Sequence, residues 1–69
     1  MSVFQKIRKT RHYREHHESE VPWHEAIEAL FATKNPRRNG DVFEIDNKNI
    51  YVIFKVENSV LFVINAKRK

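Results

Sequence analysis

The hydrophobic pattern of this chain changes character at Pro36. Before it, apolar residues recur at helical spacing; after it, they crowd into short runs suited to strands. Trp23, Ile27, Leu30 and Phe31 stand at i, i+4, i+7 and i+8 behind Pro22, a residue that suits a first helical position. Ala26, Ala29 and Ala32 in the same stretch permit close approach to a neighbour. Asn35-Pro36 ends this helix, because proline restricts the residue before it. Ahead of it, Thr10 to Ser19 predicts a weaker helix whose one inward mark is Tyr13. Residues 1–9 read as an arm or edge strand, with a competing reading in which Ser2 and Gln5 form a helical capping box.

Asn39-Gly40 is a turn signal, and three strands follow at Asp41–Asp46, Asn49–Glu57 and Ser59–Asn65. Their connections are short enough for hairpins, so the sheet is expected to be an antiparallel meander. Ile50, Val52, Phe54 and Val56 share one face of the middle strand, and Val60, Phe62 and Ile64 share one face of the last. A second apolar set, Tyr51, Ile53, Leu61 and Val63, lies opposite. Two helices of one small chain cover only one face, so this second set is expected to meet a partner or a second copy of the chain. The expected architecture is α+β, ordered (β)-α-α-β-β-β, with two helices packed on a three- to four-stranded antiparallel sheet. It forms one domain over residues 1–69 with a basic tail at 66–69.

Composition narrows the functional classes. At 69 residues the chain holds one thin core, too small for a cleft between lobes. It has no cysteine, which excludes a disulfide scaffold and a cysteine-ligated zinc site. No apolar run approaches a membrane span, so the expectation is a cytoplasmic protein with no membrane partner. The net charge of +4 is assembled from blocks. Lys6, Arg8, Lys9, Arg11 and Arg14 open the chain without an acid among them, and Glu15, Glu18, Glu20, Glu25 and Glu28 follow without a Lys or Arg. Segregated signs give a field with direction, suited to an anionic polymer or a charged partner.

His12-Tyr13-Arg14-Glu15-His16 spells the inverted zinc-peptidase signature His-x-x-Glu-His. Such an enzyme needs a third protein ligand and a substrate groove, for which a two-helix, three-strand plan has no room. His12, His16, His17 and His24 therefore read as a polar helix face whose imidazole pKa values the nearby glutamates raise, and neither metal nor cofactor is assigned. A single glycine excludes a phosphate-cradling P-loop.

The basic residues remain. Lys34, Arg37 and Arg38 crowd the connection between helix and sheet, Lys55 shares a face with Tyr51 and Ile53, and Lys67, Arg68 and Lys69 extend the last strand. If the first and last strands flank the middle one, Arg37 and Arg38 converge with the tail at one end of the sheet. Cations there would bind phosphates, and Tyr51 could stack on a base. No histidine lies in the sheet to serve as a general acid on RNA.

With "RHYREHH", "VPWHEAIEALFATKNPRRNG", "DVFEI", "IYVIFKV" and "VLFVINAKR" in this order, residues 10–69 resemble the small RelE/ParE/BrnT-like toxin superfamily, in particular its short uncharacterised branch. The resemblance implies a strand–helix–helix–three-strand fold with a concave basic sheet. It also implies binding of RNA rather than DNA, cleavage of mRNA in ribosome-dependent members, and neutralisation by a small acidic antitoxin-like protein. Arg37, Arg38, Lys55 and Arg68 match the placement of the family's basic sheet residues. The chain ends Asn65-Ala66-Lys67-Arg68-Lys69, without the tyrosine or histidine that such ribonucleases often carry near the last strand. Binding without catalysis is therefore the leading expectation, with endoribonuclease activity left open. The alternative is a non-catalytic DNA-binding or regulatory protein, dimeric or partner-bound through its apolar sheet face.

Overall fold

The computed structural model of the chain describes residues 6–33, 35–47 and 49–69. Lys34 and the Ser2–Gln5 capping box lie outside these residues. Strand β1 (Lys6–Lys9) leads into helix α1 (Arg11–His16) and helix α2 (Trp23–Ala32). Four strands follow: β2 (Arg37–Asn39), β3 (Val42–Asp46), β4 (Ile50–Glu57) and β5 (Val60–Arg68). They form one sheet in the order β1-β5-β4-β3-β2, antiparallel throughout except that β1 runs parallel to β5.

The architecture is α+β with two helices on a sheet, and the meander order β3-β4-β5 agrees with the sequence pattern. Three features differ from expectation. Among the described residues the sheet has five strands and is mixed, because the short segment before the Asn39-Gly40 turn pairs with β3 and Lys6–Lys9 pairs with β5. Arg37 and Arg38 thus belong to a strand, not a loop. Strand β5 runs past the expected end at Asn65, so residues 66–68 of the basic tail belong to the strand itself.

Local chemistry explains the boundaries. The Thr10 hydroxyl accepts from the Tyr13 backbone N–H at 3.2 Å and donates to the Val63 carbonyl at 2.8 Å, capping α1 and tying it to β5. Pro22 occupies the N-cap of α2, one position earlier than expected. The β4–β5 hairpin turns through Asn58 and Ser59, both at positive φ (52° and 64°), the geometry of a two-residue type I′ loop whose twist matches the flanking strands.

The helices pack on one sheet face. Their contribution is Tyr13, Ala26 and Ala29, with Val21 from the intervening turn, against Ile45, Ile50, Val52, Phe54, Leu61, Val63 and Ala66. Tyr13 is fully buried, and its hydroxyl donates to the Val21 carbonyl at 2.6 Å. Burial, reinforced by Glu18 and Glu25, pushes its pKa up to about 12. Phe43 stacks on Phe54 across β3 and β4, with ring centroids 5.3 Å apart. The small residues Ala26 and Ala29, rather than the large ones, are the buried positions of α2. Phe31 is 69% exposed and rims a surface groove with Ile27 and Ile50, contrary to its expected inward position.

The register corrects the assignment of the second apolar face. Val56 pairs with Leu61 and Phe54 with Val63, and opposed residues in a sheet point to the same side. Leu61 and Val63 are therefore core residues beneath the helices and leave the interface set, while Tyr51 and Ile53 remain on the uncovered side. The sequence pairing failed because strand alternation was read in each strand alone, without the register that joins them.

Candidate nucleic-acid interface on the uncovered sheet face

Alternation in five strands brings a defined set of side chains to the face opposite the helices. Ile7 packs against the core, so Lys6 and Arg8 of β1 point away from it. Arg8 is in register with Phe62, and Phe62 with Lys55. Next along β4 and β5 come Ile53 beside Asn65 and Tyr51 beside Lys67. On β3, Glu44 opposes Ile53 and Asp46 opposes Tyr51, while Arg37 of β2 opposes Glu44. The result is a strip of Tyr51, Ile53 and Phe62 flanked by basic residues from both sheet edges.

Glu44 organises one end of this strip. Its carboxylate accepts from Arg37 Nη2 at 3.1 Å and Asn39 Nδ2 at 2.8 Å, and from the Tyr51 hydroxyl. These hydrogen bonds, led by Asn39 and then Tyr51, hold the Glu44 carboxyl below the usual carboxylate range. The same contact raises the pKa of the Tyr51 phenol, so at neutral pH Tyr51 is a hydrogen-bond donor and not a phenolate. A carboxylate so stabilised is a weak base. Its action is to fix the Arg37 guanidinium and the Tyr51 ring in place.

A β-bulge decides what the tail contributes. Phe54 pairs with Val63 but Ile53 pairs with Asn65, so Ile64 is an extra residue in β5. Beyond it the alternation is shifted by one, which sends Ala66 into the core, Lys67 to the uncovered face and Arg68 to the helix side. Arg68 binds Glu25 of α2 through both guanidinium arms, at 3.1 and 2.7 Å, and its backbone N–H donates to Glu20 at 3.0 Å. This contact holds the Glu25 carboxyl below its ordinary range and raises Arg68 further. Lys69 pairs with Asp46.

The expected site residues therefore separate. Arg37, Tyr51, Lys55 and Lys67 share the uncovered face, and Lys55 also lies 3.8 Å from Glu57. Arg38 alternates to the other side of β2, where its Nε donates to the Gly40 carbonyl at 3.2 Å, and Arg68 is withdrawn to α2. Missing from the sequence set were Lys6 and Arg8, visible only once β1 pairs with β5, and Glu44. The alternation Phe43-Glu44-Ile45 was the available signal for Glu44, since it sets a carboxylate opposite two core-directed residues.

The acidic block has a structural use as well. Glu18 binds Lys9 at 2.6 Å, Glu15 binds Arg11 at 2.7 Å, and Glu20 and Glu25 hold Arg68. Acids consecutive in sequence thus neutralise cations on the helix side. The uncovered face keeps Lys6, Arg8, Lys67 and the outer part of Arg37.

Among the described residues no group of three or more His, Cys, Asp or Glu is arranged around a common metal position, and no helix is long and apolar enough to cross a membrane. No family model matches the sequence, and no curated protein matches it. Among solved structures, the chain is similar to one from the toxin–antitoxin complex RelBE2 of Mycobacterium tuberculosis. The two share 13% sequence identity with a TM-score of 0.65, over 100% of this chain and 95% of that one. At this identity the likeness is one of fold, and the fold is RelE-like.

Proposed function

We propose that this chain is a toxin-type RNA-binding protein that uses the uncovered sheet face, and that a small acidic antitoxin-like protein competes for the same face. The observation that carries the reading is the division of charge between the two sides of the sheet: the acids of the helical segment pair on one side, while cations frame an aromatic strip on the other. Lys6, Arg8, Lys55, Lys67 and Arg37 supply phosphate contacts, and Tyr51 and Phe62 supply surfaces for base stacking. The apolar strip also suits a partner chain, and the neighbour in fold comes from a toxin–antitoxin complex. Glu44 and Tyr51 are held in states that favour binding over proton transfer, which supports recognition rather than cleavage.

The test is titration of a fluorescent single-stranded RNA across a salt series. Binding should weaken with a linear slope in log salt, and Arg37→Ala with Lys67→Ala should reduce that slope by about 1.4, the share of two phosphate contacts on a single strand. A salt-independent affinity would remove the electrostatic account. Stronger binding to duplex DNA than to RNA would favour the regulatory alternative, and product formation on gels would add cleavage to the function.

A further inference from the structure

The three histidines of α1 and its C-cap, His12, His16 and His17, are closer than a solvated polar face requires. His12 Nε2 and His17 Nε2 lie 3.1 Å apart, and the His12 ring centroid is 4.9 Å from those of both His16 and His17. Two nitrogens bound at 2.0–2.1 Å to one tetrahedral zinc stand about 3.4 Å apart, so the facing pair already has nearly the spacing of two ligands on a common ion. His17 is only 8% exposed and serves as the C-cap of α1. With Nε2 turned to His12, its other ring nitrogen is left for the hydrogen bond with the Ala66 backbone. That bond supplies the outer support typical of metal-ligating imidazoles, since it fixes both the ring and the tautomer that leaves a lone pair on Nε2.

We propose that His12 and His17 form a divalent transition-metal site, with zinc the fitting ion, completed by His16 and water. His16 follows His12 by one helical turn, its ring centroid 4.9 Å from that of His12, and would complete the site by turning its side chain toward the pair. It is the rotation of this third ligand that separates the arrangement from a preassembled three-histidine centre. Without metal, one of the facing rings donates its N–H to the other. On binding, both Nε2 lone pairs turn to the ion and His12 carries its proton on Nδ1. Glu15 takes no part, because it is committed to Arg11, so the site lacks the water-activating glutamate of the peptidase signature. Its effect is to staple the end of α1 across the edge of β5 that β1 leaves unpaired beyond Val63.

Zinc chloride titrated into the full chain at neutral pH, followed by calorimetry and by imidazole NMR resonances, tests the site. The expected result is saturable, chelator-reversible binding that moves the His12, His16 and His17 resonances and raises the melting temperature. Loss of an outer-shell partner alone costs 10–100-fold in metal affinity, so His12→Ala, at an exposed position, should weaken binding at least about tenfold, whereas His24→Ala on α2 should not. Acidification should oppose binding, because the ligands must be deprotonated. Undiminished affinity in His12→Ala, a response confined to His24, or absence of binding in the parent chain would each overturn the proposal.

Discussion

On the helix side of the sheet, Val52, Phe54, Leu61 and Val63 are closed over by Tyr13, Val21, Ala26 and Ala29. On the other side Tyr51, Ile53 and Phe62 lie half-buried between Lys6, Arg8, Lys55, Lys67 and Arg37. The two faces are built from alternate residues of the same strands, the helix side the more apolar of the two. They differ in where the acids fall. Glu18, Glu20 and Glu25 stand on the helical segment and engage Lys9 and Arg68, whereas on the other side Glu44 and Glu57 engage Arg37 and Lys55 and leave Lys6, Arg8 and Lys67 to frame the strip. One face stabilises the fold, and the other is the proposed recognition surface.

Substitutions should reveal this division, and the largest effect falls on the covered side. Tyr13→Ala removes a fully buried ring and its hydrogen bond to Val21, and should cost about 3–5 kcal/mol in denaturant unfolding. Phe62→Ala on the uncovered side should cost less than about 1 kcal/mol while weakening RNA binding. Equal destabilisation by the two would show that the faces share the folding energy.

A narrower contrast separates the basic residues. Arg37→Ala should lower the salt slope of RNA binding by about 0.7, whereas Arg68→Ala should leave it unchanged, because Arg68 is held by Glu25 on the helix side. A matching slope change in Arg68→Ala would mean that the bulge does not keep this side chain from the RNA.

His17 offers a pH-dependent test of the covered side. Burial, followed by the nearby His12 and Lys67, holds its pKa below the ordinary 6.5. The unfolded chain therefore takes up this proton more readily than the folded one. The stability associated with the neutral ring is present above about pH 6.5 and is lost as pH falls below it. Midpoints of urea unfolding should drop between about pH 7.5 and 5.5, and the drop should be smaller in His17→Gln. This direction is opposite to that expected from the neighbouring glutamates, which are engaged by Lys9, Arg11 and Arg68.

The smallest effect belongs to the hairpin joining the two faces' shared strands. Ser59 holds φ at 64°, where glycine carries no side-chain penalty, so Ser59→Gly should stabilise the chain by up to about 1 kcal/mol in thermal unfolding. Destabilisation would show that the Ser59 side chain makes a compensating contact.

Local patterning was enough to specify the order of helices and meander strands, the inward position of Tyr13, the shared face of Ile50, Val52 and Phe54, and the segregation of charge. Each of these depends on local periodicity, turn residues or consecutive charges, which are written within a few positions of one another. Tertiary structure alone decided that β1 pairs with β5, that Leu61 and Val63 face the helices, and that Lys67 and Arg68 part company. The reason is that side-chain direction in a sheet depends on long-range register, and one extra residue at Ile64 reverses it for everything that follows. The tail's two charges are neighbours in sequence, yet that single insertion sends one toward the proposed ligand and the other into a lock on α2.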